Sequence, residues 1–452
     1  MGRGKRFLIL LLVLATGCEP LRALKAASNG INPLPVATIT QSQSADRVTA
    51  FINVNVVTLA TEQILWQQTV LVANQRIVAI GPVDQVAVPD AAQRIPGAGK
   101  FLLPGLADMH VHLRKAYYLL LLLHTGVTLV RNMDGLPIHL TWRAEIAAGQ
   151  RLGPQIFTTG PILDELPYYL PGPRPFGTVA GASQSIVEQK VLGYDYIKVH
   201  DGLSGSAYQN IMTAARIYNI PVVGHVPNGL GALDVIATGQ RSIEHLDGYA
   251  NFYADQLPTL LTALVDQQVW TTPILTCYQP LTPIGGPPTD FQRAVLAVIP
   301  DLTTEFGELP ADFAEAGYVY APVRQAKLHL VATLQAAGAP LLLGTDAPFP
   351  YTIPGFAVQQ ELENLVVAGL TPYAALRIAT YNAACAINRL NELGTVTVGK
   401  RADLLLVNAN PLADVRNVRQ ITGVMVQGRW LPQAETTALL RQAAADRQAT
   451  SP

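Results

Sequence analysis

Cysteine is scarce: three residues in 452, with no CxxC pair, which excludes both a disulfide framework and a thiolate-built structural zinc site. Charge is scarce as well. Only 14% of the residues are charged, against roughly 25% in an average globular chain. The 31 Lys+Arg and 32 Asp+Glu leave a net charge of -1, so there is no field to hold a nucleic-acid backbone, and nucleic acid is excluded as the main partner. Past the N-terminus no stretch reaches the ~20 residues needed to span a bilayer without a charge or a breaker. What the chain has is apolar material, 49% of its residues, enough for a large core. Length alone suggests about three units at ~150 residues each, but a barrel runs to ~200–250 residues as one domain. Two large units, or one barrel with a satellite, is therefore the expectation.

Residues 1–18 read as an export signal: Arg3, Lys5 and Arg6, then the apolar run Phe7 to Leu14, then the small residues Ala15-Thr16-Gly17 before Cys18. The Gly17-Cys18 junction resembles the lipobox of bacterial lipoproteins, which makes Cys18 the expected lipidation site; ordinary secretion, with Cys18 beside the cut, is the alternative. Residues 19–47, rich in Ala, Ser, Gln and Pro, read as a flexible tether. The expected location is outside the cytoplasm, on a membrane facing the periplasm or the cell exterior. The lipid anchor would be the chain's sole contact with that membrane.

Two β-rich ends flank a long middle. Ala50 to Val54, Thr69 to Val72 and Arg76 to Gly81 read as strands. So do Asp403 to Val407 and Ile421 to Val426, the last followed by a turn at Gln427-Gly428-Arg429-Trp430. Residues 48–103 and 392–432 are thus expected to build one small discontinuous β-sandwich domain, with a C-terminal helix or tail at 433–452. Residues 104–391 alternate strand and helix. Eight short apolar runs stand out: Leu106–His112, Val127–Asn132, Gln155–Thr159, Tyr196–His200, Pro221–His225, Ser242–His245, Val269–Leu275 and Pro340–Asp346. Eight strand-then-helix units predict an α/β fold, a (β/α)8 TIM-type barrel. Ala207 to Tyr218 and Gln325 to Ala337 are expected helices. The Pro- and Gly-rich stretch from Tyr278 to Asp312 is too long for a simple connector and reads, with residues 161–180, as a wall or lid of the substrate site.

Five of the eight histidines fall at or near predicted C-terminal strand ends, where barrel enzymes keep their active sites. His110 and His112 are two apart on one strand, so both face the same way and can bind one metal together. His225, His245 and Asp346 close three further strands, so metal-binding groups converge on one mouth. Lys198 lies inside the apolar strand Tyr196 to His200, where a free ammonium is costly unless paired or deprotonated. A depressed amine pKa permits reaction with carbon dioxide. A carbamate on Lys198 would be an anionic, two-oxygen ligand able to bridge two cations; an ordinary barrel-interior lysine paired with Asp346 is the alternative.

These stretches, Leu103-Pro104-Gly105-Leu106-Ala107-Asp108-Met109-His110-Val111-His112, Tyr196-Ile197-Lys198-Val199, Gly224-His225-Val226-Pro227, Ser242-Ile243-Glu244-His245, Gly344-Thr345-Asp346 and Gly394-Thr395-Val396 to Asp403-Leu404-Leu405, are similar to those of the amidohydrolase superfamily. The resemblance runs from about residue 48 to 430 and is to its exported imidazolonepropionase-like and prolidase-like members. It implies two divalent metal ions, Zn2+ first among candidates. His110, His112 and Asp346 would hold one, His225 and His245 the other, and carboxylated Lys198 would bridge them. It also implies a metal-activated hydroxide that attacks a carbonyl, with Asp346 taking the proton and passing it to the leaving nitrogen.

The expected reaction is hydrolysis of a C–N bond in a small molecule, a dipeptide (Xaa-Pro among them) or an N-acyl amino acid. Esters, lactones or phosphotriesters on the same metals are the alternative, and a non-catalytic surface binding protein on this scaffold is the reading from another class. Arg131, closing the second strand, is a candidate clamp for a substrate carboxylate, with a salt-bridge role as the alternative. His200 shares the inward face with Lys198 and is a candidate contact to substrate or to the groups that support the ligands, with a packed histidine as the alternative. Tyr249 and Tyr278 are candidate oxyanion donors by position. His124, His139 and His329 are expected on helices as structural residues, the first two on helix surfaces. Cys277 and Cys385 are expected as buried free thiols. Residues 202–206 lack the spacing of a phosphate-binding loop, and Ser204 and Ser206 lack a nucleophile elbow. Self-association is left open.

Overall fold

A computed structural model describes residues 48–165, 181–249, 256–278, 317–348 and 352–450. The export segment with Cys18, the tether, and most of the loops 161–180 and 278–312 lie outside the described residues, as does the side chain of Tyr278.

Five strands open the described chain: β1 Thr49–Val57, β2 Ile64–Ala73, β3 Arg76–Pro82, β4 Gln93–Pro96 and β5 Phe101–Pro104. The barrel strands follow as β6 Leu106–Val111, β7 Val127–Asn132, β8 Gln155–Thr158, β9 Ile197–Val199, β10 Val222–Gly224, β11 Ser242–Glu244 and β12 Trp270–Thr272. Three more, β13 Leu404–Val407, β14 Ile421–Val426 and β15 Arg429–Pro432, close the fold before a helix over Gln433–Thr450.

The two chain ends meet in one eight-stranded sheet, ordered β15-β14-β13-β5-β1-β2-β3 with β4 beside β1. The join is the antiparallel pairing of β5 with β13, Leu103 opposite Leu405. Side chains alternate along a strand, and here that alternation joins two cores. Leu102, Leu404 and Leu406 pack with Phe51, Val54, Val70 and Met425 in the β domain. Their neighbours Phe101, Leu103, Leu405 and Val407 pack into the barrel's core. An all-apolar run such as Leu404-Leu405-Leu406-Val407 is what a strand buried on both faces requires.

In the middle, β6-β7-β8 and β9-β10-β11-β12 form two parallel sheets. Isolated parallel bridges continue the circuit: Thr159 with Tyr196, Thr271 with Leu341, and Val111 with Ala347. The eighth apolar run thus lies between β12 and β6, and the eight runs follow one another around a ring. Helices cover it, among them Gly205–Ile217 and Gly317–Ala336. The first begins two residues before the expected start because the Ser204 hydroxyl caps it, accepting from the Ala207 N–H at 3.2 Å. Among the described residues no helix is long and apolar enough to cross a membrane.

Two helix histidines sit differently from expectation. His124 is buried, its ring bonded to Thr436 and Gln433 of the C-terminal helix. His139 is buried too, folding back so that its ring bonds the Leu113 carbonyl at 2.7 Å and the Asn132 side chain at 3.0 Å. Burial pushes both imidazoles down to about 4. His329 is exposed on its helix.

Candidate metal centre

The C-terminal ends of the barrel strands bring His110, His112 and Asp346 together. Asp346 Oδ1 lies 2.8 Å from His112 Nε2 and 3.2 Å from His110 Nε2. Ligand atoms around one tetrahedral ion bound at ~2.0–2.1 Å stand about 3.3 Å apart, so these three suit a single cation. Backbone conformation aims the groups. Asp346 and His245 both adopt left-handed φ, 58° and 59°, a region that non-glycine residues enter at a cost and that concentrates at functional sites. The Asp346 N–H is held there by the His110 carbonyl at 2.7 Å. Two glycines permit the close approach. A Cβ on Gly344 would fall 2.6 Å from His110 Cβ, and one on Gly224 (φ +137°) would fall 2.1 Å from the Val199 carbonyl oxygen.

The imidazoles form a continuous row. Ring centroids run from His110 to His245 at 5.0 Å, His245 to His225 at 4.7 Å and His225 to His200 at 4.3 Å. Carboxylates fix the rings from behind: His110 Nδ1 bonds Glu244 Oε2 at 2.8 Å, and His225 Nδ1 bonds Asp247 Oδ2 at 2.7 Å. Each leaves Nε2 as the atom available for a ligand, the arrangement that metal-binding histidines use. Burial, with neighbouring positive groups, holds His225 and His245 well below the usual imidazole range, so both are neutral and able to donate a lone pair. Asp346 goes the other way. Burial opposes its ionisation, yet hydrogen bonds from His110 and His112 hold it well below the ordinary carboxylate range.

Lys198 is 1% exposed, and its Nζ is buried with no hydrogen-bond partner. Burial pulls its pKa down, while Glu244, Asp346 and Asp247 pull it back. His112 Nδ1 is a second buried atom without a partner. A basic nitrogen buried beside carboxylates and neutral imidazoles, itself unsatisfied, marks a site with room for a further group. The donor set of imidazoles and carboxylate fits zinc or a similar divalent ion.

The remaining candidates divide. His200 lies beside His225, and its Nδ1 is shared between Asp164 at 2.8 Å and Asp201 at 2.7 Å. Burial works against its charge, but these two hydrogen bonds outweigh it and raise the pKa. Of the two readings of Arg131, the salt bridge is the one present: its guanidinium is buried and bonded to the Met109 carbonyl, the Ser242 hydroxyl and Glu244 Oε1. Tyr249 is likewise turned inward, its hydroxyl 2.8 Å from Thr271 Oγ1. Burial raises the pKa of that phenol. Cys277 and Cys385 are half-buried rather than fully buried, and Cys277 Sγ lies 3.7 Å from the Thr345 carbonyl and 3.9 Å from Asp346 Oδ2.

Sequence reasoning missed Glu244, Asp247 and Lys327. Glu244 is fully buried; burial opposes its charge, and Arg131 with His110 holds it well below the usual range. Lys327, on the helix Gly317–Ala336, donates to the His245 carbonyl. The available signal was adjacency, since Glu244 and Asp247 flank His245, but strict alternation puts Glu244 and His245 on opposite faces. The left-handed turn at His245 breaks that rule.

The Amidohydrolase family profile matches residues 101–431. An imidazolonepropionase of Geobacillus sp. is 40% identical over 86 residues, 19% of each chain, and an adenine deaminase of Leuconostoc citreum is 35% identical over 83 residues, 18% of this chain and 14% of its own. The chain therefore spans less than a fifth of these curated relatives. Among solved structures, one from Bifidobacterium longum, presented as a prolidase candidate, is 26% identical with a TM-score of 0.70, covering 88% of this chain and 100% of that one. A molinate hydrolase has the same fold at 21% identity and a TM-score of 0.66, over 87% of this chain and 96% of its own. With the fold, the strand-end histidines and a profile match over most of its length, the chain belongs to the amidohydrolase family.

Proposed function

We propose that the chain is a divalent-metal-dependent hydrolase that cleaves the C–N bond of a small amide, either a dipeptide, Xaa-Pro among them, or an N-acyl amino acid. The observation that carries this reading is the gathering of His110, His112 and Asp346 beside a buried, partnerless Lys198. Family membership and the imidazolonepropionase and prolidase-type relatives support the reaction class.

His110, His112 and Asp346 would hold one ion and His225 and His245 a second. Lys198 would bridge them as a carbamate, formed when its neutral amine nitrogen bonds to the carbon of carbon dioxide and releases a proton to solvent. A bound divalent ion, zinc in this proposal, supplies hydroxide near neutral pH and polarises a carbonyl oxygen. Glu244 keeps the proton of His110 on Nδ1 and so keeps Nε2 a donor of electrons; Asp247 does the same for His225. Asp346, ionised at neutral pH, accepts a proton on a carboxylate oxygen at the mouth and returns it to the leaving nitrogen.

The test is a panel of dipeptides, N-acyl amino acids, lactones and phosphotriesters offered to zinc-loaded protein lacking residues 1–18, with chelator-treated protein and Lys198→Ala as controls. Amine release that both controls abolish is expected. Turnover of esters alone would assign the metals to ester or phosphotriester chemistry instead. We also propose export with lipid on Cys18. Incorporation of labelled fatty acid into the full chain, lost in Cys18→Ala, is the expected result, and unlabelled protein would contradict it.

A further inference from the structure

Glu361, on the helix Phe356–Val367, is fully buried and far in sequence from every metal-binding candidate except Asp346. Its two oxygens accept from consecutive backbone N–H groups, Leu275 and Thr276, each at 2.7 Å. These residues open the short 3-10 turn Leu275–Tyr278 that leaves strand β12. The turn in turn packs on the end of the eighth run. The Thr276 hydroxyl donates to the Thr345 carbonyl at 3.2 Å, and the Cys277 thiol reaches the same carbonyl and Asp346 Oδ2. Asn364 links Glu361 to Arg324 of the preceding helix, completing an anchor that does not touch the metal-binding groups.

We propose that Glu361 is a positioning residue: it pins the turn after β12 against Thr345 and Asp346, and through Thr276 and Cys277 it fixes the orientation of the Asp346 carboxylate. The proposal rests on the reading of Asp346 as metal ligand and proton carrier. Asp346 Oδ1 already faces His110 and His112, so the neighbour of Oδ2 decides how far the carboxylate can rotate. Burying a carboxylate against two amide N–H groups is a costly device where a single carbonyl would satisfy a turn. Burial pushes Glu361 up to about 7 against the pull of those amides.

The test uses Glu361→Gln, which keeps the volume but offers one acceptor where two are needed. Two readouts are followed. The first is the rate of Cys277 alkylation by iodoacetamide in metal-free protein, resolved by peptide mapping with Cys385 as internal reference. The second is zinc affinity, measured by competition with a chromophoric chelator. Loss of one hydrogen bond to a charged acceptor should open the turn about tenfold more often, so Cys277 labelling should rise about tenfold with Cys385 unchanged, and zinc affinity should fall. Thr276→Val, which removes the hydroxyl and its links to Thr345 and Glu361 but keeps both backbone N–H bonds to Glu361, should reproduce both effects more weakly and keeps the test open if Glu361→Gln does not fold. Unchanged Cys277 labelling in both folded variants would overturn the proposal. Faster labelling with unaltered zinc affinity would overturn the step from the turn to Asp346. If the wild type binds no zinc, the reading of the metal centre falls, while faster Cys277 labelling would still uphold the pinned turn.

Discussion

Replacing Lys198 by methionine should make the metal-free protein more stable while abolishing its response to metal. The side chain is 1% exposed, its Nζ has no hydrogen-bond partner, and burial lowers its pKa. Leaving a buried polar group unsatisfied costs about 1–3 kcal/mol. Methionine has nearly the same length and shape and no such group, so Lys198→Met should gain about that amount. At roughly 2–4 °C per kcal/mol for a domain of 150–250 residues, the thermal midpoint of the chelator-treated protein should rise by several degrees. Zinc should reverse the order. An ion that binds only the folded state stabilises by RT ln(1 + [L]/Kd), about 2.7 kcal/mol at a hundredfold excess over Kd. The wild type should gain this and the variant little of it. Thermal scans of both proteins, with chelator and with zinc, provide the assay. A metal-free Lys198→Met protein that melts below the wild type would mean that the lysine is a paired structural cation. Equal zinc shifts in the two proteins would remove it from the metal centre.

Other outcomes follow from the same contacts. Arg131→Met strips the buried Glu244 of its ion-pair partner and should destabilise by about 3–5 kcal/mol; adding Glu244→Gln should recover most of that in urea unfolding, and full additivity would refute the pairing. Glu361 has a folded pKa of about 7, above its ordinary 4.5, so its contribution is present below pH 4.5 and lost as pH rises through 7. Relative to Glu361→Gln, the wild type should therefore be about 3 kcal/mol more stable at pH 4.5 than at pH 8, and a pH-independent difference would contradict the burial argument. Asp346→Asn should lower kcat by about a hundredfold or more if the carboxylate carries the proton; an unchanged kcat with weakened zinc binding would leave it as a ligand alone.

The barrel was legible because its strands, covered on both faces, read as short apolar runs, all but the seventh closed by a polar residue at the mouth. The ligand candidates were legible because His110, His112, His225, His245 and Asp346 sit at those closures. What sequence could not reveal depends on partners distant in the chain. Arg131 reads as either a substrate clamp or half of a salt bridge, and its partner Glu244 lies 113 residues away. His124 and His139 read as surface residues because the C-terminal helix and the Leu113 carbonyl that cover them belong to other elements. Glu361 stands among Gln359, Gln360, Glu363 and Asn364, and nothing local marks it as the one that meets two amides of the turn after β12. Alternation failed at His245 because a left-handed residue re-aims the chain where the strand ends.

The central claim is a metal centre built by these strand ends, and metal content tests it most directly. Protein lacking residues 1–18, purified without chelator and supplied with zinc, should carry about two zinc ions per chain. His110→Ala combined with His112→Ala should lose the ion shared with Asp346, and Lys198→Met should hold neither tightly. A wild-type protein with no stoichiometric metal, or variants that keep the full wild-type content, would contradict the account.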